Sequence, residues 1–321
     1  MKDRLNPQIE KISPVIPLLT GPTAVGKTST SIELAKILDG EIISIDSRQL
    51  YKFLDIGTAK PTLREQKSIP HHLIDLYDPT IQVSAGEYRK LAIDVVEKIV
   101  SRGKWPIFVG GSGMYIHAVV HGIFQESISD SLVREKLMNE IAEKGNVFLY
   151  NRLMDIDSEA AKKIHINDAK RIIRALEIYE LTGETPTQHF QNQHQNPAFP
   201  AKIFVLTRER AQLYHRINQR VDQMLADGLV TETEKLLAQN YRSAMDALKT
   251  LGYQEVIQYL DHEVDYSTMV ENLKMNTRRY AKRQLTWFRH KLEAEWIELQ
   301  DNDDAGSIAK KIAKSLKNSI K

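Results

Sequence analysis

Residues 21–28 read Gly-Pro-Thr-Ala-Val-Gly-Lys-Thr, and this octet constrains the fold more than any other stretch of the 321-residue chain. It matches G-x-x-x-x-G-K-[ST]. In that pattern glycines let successive backbone N–H groups turn inward on phosphate oxygens, the lysine adds a point charge, and the final hydroxyl can ligate Mg²⁺. Such a loop belongs between a buried strand and a helix whose positive N-terminal end faces the same phosphate. Both flanks are present: the apolar run 14–20 (PVIPLLT) precedes it and a helical pattern, Lys27 to Leu38, follows. Gly21, Pro22, Thr23, Ala24, Val25, Gly26, Lys27 and Thr28 are therefore the candidates for holding a diphosphate or nucleotide, with Thr28 as the metal ligand.

The rest of the first half alternates short β-like runs with amphipathic helical stretches, as a parallel α/β sheet requires. The runs are 41–47 (EIISIDS), 72–77 (HLIDLY) and 106–111 (PIFVGG). Ser84 followed by Glu87 is a capping-box signature for a helix over 85–101 that ends near Gly103. After about Gly122 the texture changes. From Ser129 to Gly183 the periodicity is helical throughout, including a helix expected to start at Asn167 and stop at Gly183. A polar connection (188–200), a strand-like run (201–207), long helices to about Lys291 and a short last strand (294–299) complete the chain. The lysine-rich end, 310–321, reads as a solvated amphipathic helix. The expected fold class is α/β: a P-loop-containing parallel sheet core, discontinuous over 14–121 and 200–321, with an all-helical insertion over 122–199.

Bulk properties remove several function classes. The chain has no cysteine, which excludes disulfides, thiolate chemistry and Cys-based zinc modules. No apolar run approaches the roughly 18 residues of a membrane span, and the first ten residues lack a signal-peptide core, so a cytoplasmic protein is expected. A net charge of +2 says nothing about nucleic acid by itself; the placement of charge does. From Lys274 to Lys291 there are seven Lys or Arg and no Asp or Glu. Arg278 and Lys282 share one helix face, Arg279 and Arg283 another, with Tyr280, Trp287 and Phe288 between. Lys170-Arg171-Ile172-Ile173-Arg174 forms a second cluster. Charge runs are usually solvated faces, but two of them in a nearly neutral chain fit contact with an RNA backbone. His117 and His121 have a metal-compatible spacing, yet no third ligand is apparent, and packed or surface histidines are expected.

The reaction is narrowed by where carboxylates fall. A nucleotide hydrolase or kinase usually carries an acidic residue at the end of a later strand to help hold Mg²⁺. Here the fourth strand ends in PIFVGGSG, and the carboxylate sits after the second strand instead, at Asp46. Ligands of such sheets gather along the carboxyl edge, so Asp46 should lie beside the phosphate loop, placed to take a proton from a nucleophile.

The segment 46–61, DSRQLYKFLDIGTAKP, together with GPTAVGKT, PHHLIDLYDP (70–79), GGSGMYI (110–116) and TRRYAKRQLTWFR (277–289), resembles the tRNA dimethylallyltransferases. The likeness runs from about Pro14 to Arg289 in the family's order and spacing. It implies that dimethylallyl diphosphate lies in the loop with Mg²⁺, and that the exocyclic amine of adenine 37, beside the anticodon, is alkylated as pyrophosphate leaves. By this resemblance Asp46 is the general base, Ser112 supplies a hydroxyl near the reacting centre, and Arg220 contacts the leaving group, with Arg216 one turn earlier. The family's usual residue at position 112 is threonine; serine keeps the oxygen and drops a methyl, which bears on packing more than on chemistry. The same resemblance assigns contacts with the tRNA anticodon stem-loop to Asp46, Ser47, Arg48, Gln49, Ser112, Arg134, residues 170–174, and Lys249, Thr250, Leu251, Gly252, Tyr253 and Gln254. Arg278, Lys282 and Arg283 join them on charge. Gln49 could hydrogen-bond a flipped-out adenine or serve the fold. A monomer is expected. Three other readings compete. An adenylate isopentenyltransferase would not need the insertion or the basic clusters. A small-molecule kinase leaves the 46–61 segment unexplained. A non-catalytic RNA-binding module would have no use for Lys27, Thr28 and Asp46 together.

Overall fold

The computed structural model describes residues 15–122, 130–191, 197 and 199–318. Pro14, Ser129, much of the polar connection and the last three residues lie outside them. The chain divides into two compact units, Met1–His121 with Pro197–Lys321, and Gly122–Asn196.

The first unit holds a parallel sheet. In chain order its first half runs β1 (Ile16–Thr20), α1 (Lys27–Leu38), β2 (Gly40–Ser44), α2 (Leu63–Ser68), β3 (His71–His72), α3 (Ala85–Ser101), β4 (Trp105–Val109) and α4 (Gly113–His121). The second unit contributes α5 (Ser131–Lys144), α6 (Asn146–Ile156), α7 (Ser158–Lys162), α8 (Ala169–Thr182) and α9 (Pro186–Gln191). The first unit then resumes with β5 (Ala201–Arg208), α10 (Arg210–Ala226), α11 (Leu229–Ala238), α12 (Arg242–Leu248), α13 (Tyr253–Leu260), α14 (Tyr266–Lys291), β6 (Glu295–Leu299) and α15 (Ala305–Asn318). Among the described residues the sheet order is β3-β2-β4-β1-β5-β6, every pairing parallel. β1 and β2 are buried along their whole length, as strands covered on both faces must be. One face packs on α3, α4 and α14 through Tyr88, Val96, Ile116 and Phe288. The other packs on α1 and α15 through Leu34, Leu38, Ile312 and Leu316. A third core, built from α10 to α14, takes in Tyr51 and Leu54 from the loop after β2.

The local signals behave as their chemistry dictates. Ser84 and Glu87 form the reciprocal capping box on α3, and Gly183 closes α8 in the left-handed conformation. Two expectations need correction. The 72–77 run is a strand only at 71–72, because Leu73 and Asp75 take positive φ and break the extended backbone. Helix α8 begins at Ala169, since the Asp168 side chain accepts from the Arg171 amide and caps it there. The C-terminal helix is amphipathic as expected, and its apolar face, with Ile308, Ile312 and Leu316, is core against α1.

In the second unit, Leu137, Leu149, Leu153, Ile172 and Leu176 make a separate core. Ile172 (0% exposed) and Ile173 (8%) belong to it, so their side chains cannot be part of an RNA-contacting face. Lys170 and Arg171 are exposed on the same helix.

Candidate active site

The sheet order makes β1 a reversal point, with β4 on one side and β5 on the other. The crevice at the carboxyl ends of such strands is where open α/β sheets bind ligands. The phosphate loop follows β1 there. Gly21 (φ 149°) is obligatory: a Cβ would lie 2.5 Å from the Leu206 carbonyl oxygen. Gly26 opens α1 at φ 117°, a conformation that glycine tolerates.

Cations surround this loop. Lys27 Nζ donates to the Gly21 and Pro22 carbonyls, both at 2.9 Å. Arg216 Nε donates to Ala24 O at 2.9 Å, Arg208 Nε to Val25 O at 3.1 Å, and Arg220 Nη1 approaches Thr23 Oγ1 at 3.4 Å. Lys27 sits deep among protein atoms. The loss of water, then the Arg220 charge, lowers its pKa to about 7, while Asp46 works in the opposite direction. Burial and then Arg216 lower that of Arg220. Cations gathered this closely around a glycine-hinged loop repel one another, and an anion held among them would relieve that repulsion.

Asp46 lies two residues past the end of β2, on a tight loop. Its Oδ1 accepts from the Arg48 amide at 2.8 Å. The carboxylate is close enough to Lys27 to raise that lysine's pKa. After removal from water, it is also the largest cause lifting Tyr280 to about 12. Ser112 Oγ accepts from the Ser47 amide at 2.8 Å and donates towards Ser47 Oγ at 3.3 Å, so its hydroxyl braces the turn that carries Asp46. Arg48 is tied across to the Leu248 carbonyl at 2.7 Å. Gln49 is committed at both ends, accepting from Ser44 Oγ at 2.9 Å and donating towards the Thr58 and Ala59 carbonyls. Of its two readings, the structural one is what its hydrogen bonds describe.

These elements enclose a cavity of about 700 Å³. The phosphate loop with Lys27, Thr28 and Arg220 forms one side, and Asp46 to Gln49 with Gly57 to Ala59 another. Lys249 to Gly252 and Gln254 close it, with Thr277, Tyr280, Arg283 and Gln284 from α14. Ser112 is absent from this lining, and Tyr253 is fully buried behind it with its hydroxyl on Glu232. So the 249–254 stretch, expected at tRNA, shares a wall with the phosphate loop. Thr28 presents a hydroxyl to the same space. Among the described residues there is no cluster of three His, Cys, Asp or Glu side chains for a metal. His117 and His121 pack 5.0 Å apart by ring centroids.

Three residues that hold the site were given no role of their own by the sequence. Glu232, on α11, accepts from the amides of Asp55, Ile56 and Gly57 and from Tyr253. Lys60 is almost fully buried and bonds Tyr51 O, Asp55 and Asp75. Gln284 links the Thr23 amide to the Gly111 carbonyl. Glu232 and Gln284 depend on partners distant in sequence, and Lys60 on a loop folded back around it.

The basic clusters divide. On α14, Arg278 donates to Asn218 Oδ1 at 2.7 Å and Lys274 pairs with Asp222 at 2.7 Å, so both are engaged with α10. Arg279, Lys282 and Arg283 are exposed and, with the half-buried Trp287, line a second groove. In the other unit, Arg134 and Arg174 both pair with the fully buried Glu177, at 3.0 and 2.7 Å. One carboxylate offsets half of their joint charge; Lys170 and Arg171 are the more exposed cations, and Arg171 also approaches Asp168 at 3.4 Å.

With this geometry in hand, comparison with known proteins is specific. The family model described as IPP transferase matches residues 49–291. The tRNA dimethylallyltransferase of Alkaliphilus oremlandii is 45% identical over 301 residues, 94% of this chain and 96% of that protein. That of Bacillus subtilis is 46% identical over 287 residues, 89% and 91%. Among solved structures, the full-length tRNA isopentenylpyrophosphate transferase of Bacillus halodurans superposes with a TM-score of 0.69 at 41% identity, covering 95% of this chain and 98% of that one. A eukaryotic dimethylallyltransferase acting on tRNA gives 0.83 at 29%, covering 96% and 80%. The family model covers three quarters of the chain, through helix α14, and the relatives cover about nine-tenths or more of it: the chain belongs to the IPP transferase family, that of the tRNA dimethylallyltransferases.

Proposed function

We infer that this chain is a tRNA prenyltransferase. It moves a dimethylallyl group from dimethylallyl diphosphate to the N6 amine of adenine 37, in the anticodon stem-loop, and acts as a monomer in the cytoplasm. The observation that carries the reading is one cavity holding both an anion-seeking loop and a carboxylate placed for a base. The amine nitrogen attacks the allylic carbon, the carbon–oxygen bond to the diphosphate breaks, and the amine proton passes to Asp46. Lys27 exchanges its bonds to the Gly21 and Pro22 carbonyls for phosphate oxygens, and Arg220 takes up charge developing on the departing pyrophosphate. No phosphoryl group moves, which suits a β4 end that carries Gly110 to Gly113 and no carboxylate. Mg²⁺ fits at Thr28: one hydroxyl plus substrate phosphates and water is a donor set that this ion accepts, and when bound it would neutralise diphosphate charge. The target base must leave the stacked loop to enter the cavity, at a cost of a few kcal/mol that flanking contacts offset. Lys170, Arg171, Arg279, Lys282 and Arg283 are the cations best suited to the RNA backbone. The test is direct. Labelled dimethylallyl diphosphate is offered with bulk tRNA, AMP or ATP, and the modified nucleoside is mapped by mass spectrometry. Label in tRNA adenine 37 is expected; label in AMP or ATP, or phosphoryl transfer without alkylation, would overturn the reading.

A further inference from the structure

Thr23 is a junction of three elements. Its amide donates to Gln284 Oε1 on α14 at 3.0 Å, and its hydroxyl lies 3.4 Å from Arg220 Nη1 on α10. Gln284 Nε2 donates in turn to Gly111 O, in the turn after β4, at 3.1 Å, and the residue is only 7% exposed. A backbone N–H can only donate and a carbonyl can only accept, so the orientation of the side-chain amide is fixed at both ends. Gly111 is shaped to this contact, because a Cβ there would lie 2.4 Å from Gln284 Nε2. Side chains of similar length fail differently. Methionine would orphan a buried donor and a buried acceptor, and an ionised glutamate would set its charge against the Gly111 carbonyl.

We propose that Gln284 is a positioning residue for the leaving diphosphate. It fixes the spacing between the phosphate loop and the turn after β4, holds the Thr23 amide, and through Thr23 sets the guanidinium of Arg220. The inference rests on the reading that this loop binds the diphosphate of the prenyl donor. It adds a residue on the cavity wall that acts through the loop, by deciding how well the loop's cations converge.

The experiment uses Gln284→Met, Gln284→Glu and Gly111→Ala in the full chain. Gln284→Met should raise KM for dimethylallyl diphosphate and the inhibition constant of pyrophosphate by about 10- to 100-fold, the worth of one or two buried hydrogen bonds. The Kd for tRNA should stay within about twofold. Gly111→Ala should reproduce this, and the double variant should be little worse than either alone. Gln284→Glu supplies the decisive signature. A neutral carboxylic acid accepts from Thr23 through its carbonyl and donates to Gly111 through its hydroxyl, and burial raises the pKa of such a carboxyl. Its defect should therefore match that of Gln284→Met at pH 8.5 and recede towards pH 6. Lys27, Asp46, His71, Arg220, Glu255 and Tyr280 line the same cavity in every variant, so each profile is taken as a ratio to wild type. Wild-type kinetic constants in Gln284→Met, a pH profile for Gln284→Glu parallel to that of Gln284→Met, or a loss confined to tRNA affinity would each overturn the proposal. A wild-type protein that transfers no prenyl group would instead sink the functional reading beneath it.

Discussion

Replacing Gly57 by alanine adds a single methyl group, and the structure specifies what it meets. The Cβ would lie 2.4, 2.6 and 3.0 Å from Cε2, Cζ and Cδ2 of Tyr253, where ordinary contacts begin near 3.4 Å. Gly57 does not have a positive φ, so alanine fits its backbone and the cost is purely steric. The ring cannot yield freely. Tyr253 is fully buried, and its hydroxyl is held by Glu232, the same carboxylate that accepts from the amides of residues 55 to 57. Overpacking of this kind costs about 1–3 kcal/mol, and a strained Tyr253–Glu232 hydrogen bond adds about 1 kcal/mol. A total of roughly 2–4 kcal/mol corresponds to a fall in Tm on the order of 3–6 °C for a chain of this size. Gly57 and its neighbours line the cavity, so activity should fall as well, more than tRNA binding does. Differential scanning calorimetry of Gly57→Ala, alone and combined with Tyr253→Leu, measures the effect. The extra cost should largely vanish once the ring is gone. A Tm within about 1 °C of wild type, or the same loss in both backgrounds, would refute the steric account.

The pKa of Lys27 near 7, against 10.5 in an unfolded chain, means that between those values the unfolded state holds an extra proton. Ligand-free stability should therefore rise with pH across that window, by up to about 1.4 kcal/mol per unit, and urea titrations should find this slope reduced in Lys27→Met. Asp46→Ala should slow single-turnover transfer by about 10²–10⁴ while leaving tRNA affinity intact, and a near-wild-type rate would remove Asp46 from the base role. Glu177→Ala should destabilise the helical unit by about 1–3 kcal/mol, measured by hydrogen exchange on α8, since the Asp130 amide and two guanidinium groups lose a buried acceptor. Neutralising Lys170 and Arg171 should flatten the salt dependence of tRNA binding, by roughly 0.7–0.9 in the log–log slope for each phosphate no longer neutralised. Fluorescence anisotropy at several salt concentrations would register the change, and an unaltered slope would return both residues to the solvent.

The sequence by itself determined the phosphate loop, the presence of Asp46 at a strand end, the capping box on α3 and the alternation that makes a parallel sheet. Those features are local: a loop motif needs about eight consecutive residues, a cap about four, and periodicity about a dozen. Tertiary structure decided what depends on distant partners. Arg134 looks like a free cation until Glu177, 43 residues away, is placed beneath it. Gln284 looks like one polar residue in a basic helix until Thr23, 261 residues away, meets it. Ile172 and Ile173 sit inside an RNA-like cluster, yet helical geometry turns them into the core. The 72–77 run has strand composition, but packing on the loop after β2 imposes positive φ at Leu73 and Asp75 and ends the strand early. The same physics accounts for both halves. Backbone propensity and hydrophobic period act between near neighbours and can be read along the chain, whereas the burial of a charge or an amide is tolerated only where the fold delivers its partner.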